Sequence, residues 1–338
     1  MTHVLRPARM DDLPRVYQMA KSTGGGFTNL PPDRAALKAR LSRAVASFAR
    51  AEDTLADDHY FFMLEDAATG AVTGTCQIFS KIGTNWPFYS YRIGALTQYS
   101  KELGRSFRAE TLTLTTDLDG VSEVGGLYLL ATERAAGMGA LLARSRYLFM
   151  KMHRARFADT TIAELRGMQD AAGDSPFWDG VAGRFFGMGF READDFNAVH
   201  GNQFIADLMP KHPLYLAMIP ESARAVIGKP HTSGRAAMRM LENEGFVFDN
   251  YIDIFDGGPT MIAQTDKIAT VANACADTVV EIRPEVEGVA SLLAHGRLMD
   301  FRSCFGSVEQ GEGGIIIDEQ SARLIGAGVG DIVTHVAR

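Results

Sequence analysis

The sequence predicts an α/β (α+β) fold: a mixed, mostly antiparallel sheet flanked by helices, with an additional helix-strand lobe and a small β-rich C-terminal extension. Three observations support this prediction. An apolar strand at residues 123–130 runs through a glycine turn into a helix-forming segment. Helical and alternating patterns follow one another up to about residue 255. Beyond residue 270, short runs rich in Val and Ile are typical of strands.

The N-terminal half contains most of the predicted sheet. Residues 4–12 predict a short strand that ends at a helix start, and alternating or continuous apolar runs predict strands at residues 60–64, 72–82, 110–116, 123–130 and 160–168. Between residues 31 and 49, Leu37, Leu41, Val45 and Phe48 recur at spacings of four, four and three, which predicts an amphipathic helix. Further helices are expected at residues 13–20, 140–152 and 175–186. A strand is expected to begin at Gly189 and Phe190.

The second half has shorter elements. Residues 204–210 and 214–227 predict helical or mixed segments, 236–244 a helix and 251–255 a strand. The segment that ends at Phe190 and the one that ends at Phe246 both run a helix into Gly-Phe, which suggests a duplicated helix-strand unit.

The composition is that of a globular protein with an acidic balance. The 338 residues are 46% hydrophobic and carry a net charge of −7, which disfavours a nucleic-acid surface and suits a cationic small substrate. No apolar run approaches the roughly 18 residues of a membrane span, and the N-terminus has no apolar signal-peptide core. We therefore expect a cytoplasmic protein that binds neither nucleic acid nor a membrane.

Cysteine and histidine usage gives no sign of a metal site. Cys76, Cys275 and Cys304 are odd in number and widely spaced, so we expect reduced thiols instead of a disulfide framework. The eight histidines are scattered and no HExxH motif occurs. The expectation is that the protein holds no metal.

The glycine turn is the strongest local signal of chemistry. It has the form Arg134-x-x-Gly137-x-Gly139 between a strand and a helix. Glycines allow a ligand to approach the backbone closely, and a helix N-terminus offers unpaired N–H groups to a phosphate. A Rossmann motif would need glycine where Leu142 stands, and the Gly228-Lys pair is followed by Pro230, which excludes a Walker loop. The alternative is a glycine-rich connection that binds no ligand.

The spacing of this turn resembles the coenzyme A loop of the Gcn5-related N-acetyltransferases, and the element order over about 190 residues resembles their fold. Longer blocks resemble one family, arginine N-succinyltransferase. These blocks are Lys21-Ser-Thr-Gly-Gly-Gly26, Tyr89-Ser-Tyr-Arg-Ile93, Ser175-Pro-Phe-Trp178, Phe204-Ile-Ala-Asp-Leu-Met-Pro-Lys-His-Pro213 and Asn250-Tyr-Ile-Asp-Ile-Phe-Asp-Gly-Gly-Pro259.

The resemblance implies an enzyme that transfers a succinyl group from succinyl-CoA to the α-amino group of L-arginine in arginine catabolism. Succinyl-CoA is then a co-substrate, and no permanently bound cofactor is expected. The resemblance also suggests three units: residues 1–195 as a Gcn5-like lobe for acyl-CoA, 196–269 as a second lobe that completes the substrate site, and 270–338 as the β-rich extension.

Specific residues carry the implied roles. The family's proton donor matches His231, and its succinyl-CoA contact matches Leu127. By analogy with related acyltransferases, a backbone N–H between Leu127 and Leu129 holds the oxyanion. Arg134, Gly137 and Gly139 are then the phosphate contacts. Histidine suits proton transfer because its ordinary pKa of about 6.5 lies near working pH, although such a residue is often only bonded to loop backbone.

Substrate charges suggest further candidates. A guanidinium calls for carboxylates, and Asp253, Asp256 and Glu123 are the candidates, with bonding to loop backbone as the alternative role. The succinyl carboxylate needs a cation or an N–H cluster, for which Lys21, Arg92 and the loop 24–26 are candidates that the sequence does not rank.

Two other functions remain open from the sequence. One is an N-acyltransferase with a different acyl-CoA or amine. The other is a catalytically silent protein of the same fold that binds arginine or CoA. Apolar surface residues do not distinguish core from interface, so a homo-oligomer and a hetero-oligomer are both compatible with the sequence.

Overall fold

The computed structural model describes residues 2–22, 29–134, 137–170, 172–201 and 203–338, without the side chains of residues 195 and 198–200. The strands in these ranges are β1 (His3–Pro7), β2 (His59–Asp66), β3 (Ala71–Phe79), β4 (Ser90–Ser100), β5 (Arg105–Thr115), β6 (Ser122–Leu129), β7 (Thr160–Glu164), β8 (Leu214–Tyr215), β9 (Val247–Ile252), β10 (Pro259–Gln264), β11 (Cys275–Arg283), β12 (Val289–His295), β13 (Arg302–Gly311), β14 (Gly314–Asp318) and β15 (Ile332–Ala337).

The helices of the same ranges include several that are only one or two turns long. They are α1 (Leu13–Ser22), α2 (Arg34–Ala49), α3 (Met138–Met152), α4 (Pro176–Gly180), α5 (Gly183–Phe186), α6 (Phe190–His200), α7 (Gln203–Leu208), α8 (Glu221–Arg224), α9 (Arg235–Asn243), α10 (Ala269–Asn273) and α11 (Glu319–Ile325). Short 3-10 turns join several of them.

The strands form one continuous sheet in the order β12-β15-β11-β14-β13-β1-β2-β3-β6-β7-β10-β9-β4-β5-β8. In the described chain, β6–β7 and β11–β14 pair in parallel and the other strand pairs are antiparallel. The predicted α/β class with a mixed, mostly antiparallel sheet is therefore confirmed.

The strands after residue 270 close on themselves. In addition to its place in the order above, β13 pairs with β12 from Val289↔Val308 to His295↔Arg302, so β12, β15, β11, β14 and β13 form a ring. The ring joins the main sheet through the antiparallel pair Leu5↔Ser303. Helix α11 packs mainly against β13 of this ring.

The main core lies between the sheet and helices α1, α2 and α3. Aromatic rings fill this core. The centre of the Phe149 ring of α3 lies 5.8 Å from that of Phe48 of α2 and 5.0 Å from that of Phe62 of β2. Phe301, just before β13, is fully buried and lies 5.1 Å from Phe149. The extension after residue 270 therefore shares the core of the first lobe.

Some predicted elements are wrong in type or length. Gly189-Phe190 begins helix α6, because Gly189 is the N-cap and Glu192 lies in the first turn, where an acidic side chain suits the helix dipole. The predicted helix at 175–186 is two short helices, α4 and α5. After Gly245-Phe246 the chain does form strand β9. The two Gly-Phe segments are thus not a duplicated helix-strand unit.

The division into units at 195/196 and 269/270 stays a prediction. The first boundary falls inside helix α6, and the second falls at the start of α10. Among the described residues, no helix is both long and apolar enough to cross a membrane. The same part of the chain holds no group of three or more His, Cys, Asp or Glu side chains that fits a metal ion.

Candidate active site

The sheet opens between its two parallel neighbours β6 and β7. The register of this pair covers only Ser122↔Thr161 and Glu123↔Ile162. Beyond Glu123, β6 stays paired with β3 as far as Leu129, while β7 stays paired with β10 as far as Glu164. The two strands therefore diverge, and backbone groups of β6 that face the gap have no strand partner there.

A bulge in β6 exposes the backbone at this gap. The register with β3 shifts between Thr75↔Tyr128 and Gln77↔Gly125, so two residues of β6 oppose one of β3. Gly126 takes φ = +57°, and a Cβ there would collide with the Gln77 side chain. Glycine is thus required, by both conformation and space. Gln77 is itself fixed, because its Nε2 donates to the Asn29 carbonyl at 2.9 Å.

A cavity of about 770 Å³ lies in the gap between β6 and β7. This volume lies within the usual range for a ligand site. One wall is the β6 backbone from Val124 to Tyr128, and the opposite wall is the chain from Ala163 to Arg166. Helices α3 and α9 supply the apolar remainder, including Ala140, Tyr147 and Met240.

The wall near the glycine turn is basic. Its cationic side chains are Arg134, Arg144, Arg146 and Arg338, of which Arg144 pairs with the lining carboxylate of Glu244 at 3.1 Å. Arg134 Nε donates to the Leu129 carbonyl at 3.4 Å, and Arg146 Nη1 donates to the Gly125 carbonyl at 3.2 Å. These contacts hold the guanidinium groups of both residues close to the β6 backbone.

The glycines of the turn have different reasons to be glycine. Gly137 is the N-cap of α3 with φ = +80°, and a Cβ there would collide with the Arg338 guanidinium. Gly139 lies in the first turn of α3, where a Cβ would meet nothing closer than Met240 Sδ at 4.0 Å among the described atoms. Protein packing therefore does not require glycine at 139.

The other side of the cavity is acidic. Glu164, Asp194, Asp253 and Asp256 line it. Asp253 Oδ1 accepts from the Phe255 and Asp256 amides at 2.7 and 2.8 Å, and Asp256 accepts from the Gly167 and Gly258 amides at 2.7 and 2.9 Å. These amides fix the two carboxylates without cancelling their charge.

Burial raises the pKa values of the carboxyl groups in and beside this acidic side. The pKa of Glu164 is well above its ordinary range because of burial and the charges of Asp253, Glu123 and Asp256. The pKa of Glu123 is raised to about 7 by burial, against the opposing effects of an Asn29 hydrogen bond and the Arg40 charge. The pKa values of Asp253 and Asp256 are raised by burial as well, for Asp256 with repulsion from Asp253. A bound cation would relieve this repulsion.

His231 lies beside the cavity on the loop before α9. Its backbone N–H donates to the Arg166 carbonyl at 2.7 Å, which ties the loop to the wall after β7. The ring Nδ1 lies 2.7 Å from Ser233 Oγ and 3.3 Å from the Ser233 amide. The pKa of His231 is lowered, first by burial and then by the positive charge of Arg166. The neutral imidazole is therefore favoured.

The structure brings some of the sequence candidates together and separates others. Leu127 and Arg134 line the cavity, whereas Leu129 packs against the main core. Gly137, Gly139 and His231 adjoin lining residues without lining the cavity themselves. Glu123 is buried next to the wall of β6 and is absent from the lining.

The sequence candidates for the succinyl carboxylate lie elsewhere. Arg92 pairs with Asp117 at 3.5 Å and lies over the Tyr251 ring. The Lys21 ammonium lies 4.4 Å from the centre of the Tyr17 ring. Neither lines the cavity. The loop 24–26 lies outside the described residues.

The charged lining residues that the sequence reasoning missed include Glu164, Arg166 and Arg338. A carboxylate at the end of the buried strand Thr160–Glu164 was a usable signal, because charged residues are rarely buried without a purpose. The sequence around Arg166 and around Arg338 contains no such signal, because nothing local relates either residue to the glycine turn.

A sheet that opens between two parallel strands, with a glycine turn and a helix N-terminus beside the opening, fits the class of acyl-CoA-dependent acyltransferases. Comparison with protein families is more specific. The family model of the arginine N-succinyltransferase beta subunit matches residues 3–270, and the model of the C-terminal domain of that same beta subunit matches residues 269–337. The chain belongs to the arginine N-succinyltransferase family, and the resemblance found in the sequence is confirmed.

Individual relatives match nearly the whole chain. The arginine N-succinyltransferase of Citrobacter koseri is 42% identical over 301 residues, which are 89% of this chain and 87% of that protein. That of Escherichia coli (strain 55989 / EAEC) is 38% identical over 334 residues, 98% and 97% of the two chains. The solved structure of arginine/ornithine succinyltransferase subunit AI from Pseudomonas aeruginosa superposes with a TM-score of 0.89 at 33% identity, over 99% of this chain and 98% of that one.

Proposed function

We propose that this acyltransferase moves the succinyl group of succinyl-CoA directly to the α-amino group of L-arginine, giving N2-succinyl-L-arginine and CoA in arginine catabolism. One observation carries the proposal. The cavity between β6 and β7 has a basic wall at the glycine turn and carboxylates on the other side. An anionic thioester and a guanidinium substrate need such opposite charges within reach of one another.

CoA is assigned to the basic wall. The first turn of α3 offers backbone N–H groups to the pyrophosphate, with Arg134 near them and an open space at Gly139. Leu127 contacts the acyl end. The backbone from Leu127 to Leu129 follows the bulge at Gly126, and an N–H of this segment is the proposed donor to the oxyanion of the thioester.

Arginine is assigned to the acidic side. Asp256 is buried there, Asp253 and Glu164 are half-buried, and all three have raised pKa values. The planar guanidinium pairs with carboxylates in a bidentate manner and supplies the positive charge that the cluster lacks. Ornithine is a second candidate acceptor, because the Pseudomonas relative is named an arginine/ornithine succinyltransferase.

His231 is the proposed proton carrier. The α-amine nitrogen forms a bond to the thioester carbon, the C–S bond breaks, and the electron pair leaves with the CoA sulfur. His231 accepts the proton that the amine must lose and returns it to the thiolate. Its lowered pKa keeps the imidazole neutral near pH 7, as acceptance of a proton requires. The contact of Nδ1 with Ser233 leaves Nε2 for this exchange.

Replacement of His231 tests the assignment. We expect His231→Gln to lower kcat for CoA release from succinyl-CoA and arginine by about 10²- to 10⁴-fold, while the Kd of either substrate changes little. His295→Gln, in the ring of strands after residue 270, is the matched control and should retain wild-type turnover. Wild-type kcat in His231→Gln would remove His231 from the mechanism.

Specificity needs a separate assay. Wild-type enzyme should prefer succinyl-CoA to acetyl-CoA, and arginine to ornithine and lysine, when CoA release is measured for each pair. Preference for another pair would support the alternative of a different acyl-CoA or amine. The cytoplasmic location and the oligomeric state stay predictions of the sequence.

A further inference from the structure

Arg166 is a cavity residue that the chemistry described above does not use. It lies two residues after β7, on the wall opposite the β6 bulge. Its Nε is buried and has no hydrogen-bond partner among the described residues, while one terminal nitrogen donates to the Gln169 side chain. The side chain as a whole is half-buried and lines the cavity, so the accessible part of its guanidinium can donate to an anion there.

Among the described residues, no carboxylate accepts a hydrogen bond from Arg166 Nε. Asp256 and Asp194 attract Arg166 electrostatically. Asp256 instead accepts from two backbone amides, those of Gly167 and Gly258. Gln169 is a neutral partner. The cation is therefore oriented by its neighbours and retains donor capacity towards the cavity.

Arg166 is also the lining arginine with a direct connection to His231. The Arg166 carbonyl accepts from the His231 amide at 2.7 Å. The other lining arginines, Arg134, Arg144, Arg146 and Arg338, belong to the turn, to helix α3 and to the segment after β15. An anion bound to Arg166 would thus lie close to the reacting atoms and not at the phosphate end.

We propose that Arg166 binds a substrate carboxylate at the reacting end of the cavity and thereby determines substrate specificity. The inference rests on the proposed function, in which both substrates carry such a group. The succinyl chain ends in a carboxylate, and the α-carboxylate of arginine lies on the carbon that bears the attacking amine. The Arg166 guanidinium suits either, because its planar fork matches carboxylate geometry.

Binding of a carboxylate would also prepare His231 for proton transfer. The Arg166 charge contributes to the lowered pKa of His231 in the empty cavity. A carboxylate paired with Arg166 cancels much of that charge, so the imidazole becomes a stronger base once the substrate is in place. Arg166 is thereby both a binding residue and a positioning residue for the proton carrier.

The test uses full-length enzyme with Arg166→Gln and three substrate pairs. Succinyl-CoA is compared with butyryl-CoA, which has the same chain length without the carboxylate, using arginine as acceptor. Arginine is compared with agmatine, which lacks the α-carboxylate, using succinyl-CoA as donor. Arg323→Gln, an exposed arginine on α11, is the matched control and should behave as wild type.

The two sources of the carboxylate give different results. If Arg166 binds the succinyl carboxylate, kcat/KM of Arg166→Gln falls about 10- to 100-fold for succinyl-CoA and stays near wild type for butyryl-CoA. If it binds the α-carboxylate, the same loss appears with arginine and not with agmatine. Arg166→Lys keeps the positive charge but lacks the planar, bidentate guanidinium. Its kcat/KM should therefore lie between those of wild type and Arg166→Gln in the same comparison.

A pH profile gives an independent readout. Removal of the cation should move the acid limb of kcat/KM to higher pH, because the imidazolium of His231 is no longer destabilised. Equal losses for all three pairs, or unchanged substrate ratios in a folded variant, would overturn the inference while the wild-type activity stands. If the wild-type enzyme does not transfer succinyl to arginine, that result overturns the proposed function and this inference together. If Arg166→Gln does not fold, the ratios are read from Arg166→Lys.

Discussion

At the scale of single residues, the acidic side of the cavity is the feature that separates this site from a plain CoA cleft. Asp253 and Asp256 were identified from their sequence block, and Glu164 joins them only through the fold. Three carboxyl groups with raised pKa values are costly to ionise at neutral pH. Such a cost is acceptable where a cationic substrate offsets it.

Arginine binding should therefore depend on pH. A guanidinium favours the ionised carboxylates, so protons must leave the cluster when arginine binds at a pH below the raised pKa values. We expect tighter binding as pH rises from 6 to 8, through the pKa of Glu123 at about 7, with proton release at the lower pH. Calorimetry in buffers of different ionisation enthalpy measures both quantities.

Glu164→Gln is the matched variant for this prediction. It keeps the shape of the side chain and removes one carboxylate, so arginine affinity should fall about 10-fold and the number of released protons should decrease. A heat of binding that is independent of buffer, with the same Kd at pH 6 and pH 8, would contradict the assignment of the cluster to arginine.

At the scale of elements, strand β6, the glycine turn and helix α3 act as one unit. The bulge at Gly126 turns the backbone of β6 towards the cavity, and Gly137 allows α3 to begin immediately after the turn. Gly139 is different, because the described protein atoms leave space for a side chain there. Space at this position is what the proposed approach of CoA to the helix N-terminus needs.

Gly139→Val should separate binding from folding. The added side chain meets little protein, so the thermal midpoint should change by no more than a few degrees, while the KM for succinyl-CoA rises about 10-fold or more through a clash with the phosphates. Thermal denaturation and steady-state kinetics check the two parts. Gly189→Val is the control, because a Cβ at Gly189 also meets nothing within 4 Å and its φ is negative. An unchanged KM in Gly139→Val would contradict CoA binding at this turn.

At the scale of the whole molecule, the ring of strands after residue 270 extends to the CoA side of the cavity. Arg144 of α3 donates from Nη2 to the Ala337 carbonyl at 2.9 Å, and the Arg338 amide donates to the Ala290 carbonyl at 2.9 Å. The Arg338 guanidinium lies 4.2 Å from the centre of the Phe305 ring, next to Gly137. The ring thus holds a cation beside the first turn of α3.

Arg338→Ala should weaken CoA binding more than arginine binding. A partly exposed guanidinium near a phosphate contributes modestly, so we expect the KM for succinyl-CoA to rise about 3- to 10-fold, and the difference from wild type to shrink in high salt. Kinetics at two salt concentrations measure this, with Arg323→Ala as control. An equal effect on the KM for arginine would instead indicate a general structural role.

The sequence by itself determined most of the secondary structure and the position of the glycine turn. Local periodicity predicted most strands and helices, because a buried face repeats every two or 3.6 residues whatever surrounds it. It failed at Phe190, where an extended Gly189 and an acidic first turn start a helix. The turn residues Arg134, Gly137 and Gly139 could be singled out because a glycine turn between a strand and a helix is a local structure with a fixed spacing, and their role as phosphate contacts stays a prediction.

The tertiary structure alone decided how the site is assembled. The divergence of β6 from β7 depends on how β3 and β10 pair on either side, and no local pattern records that pairing. The segment with Glu164 and Arg166 is far in the chain from Asp256 and from Arg338, and these three segments line one cavity only because the sheet order brings their strands together. The sequence therefore identified the family and the turn, whereas the long-range strand pairing created the charged cavity, because contacts between distant segments depend on the whole fold.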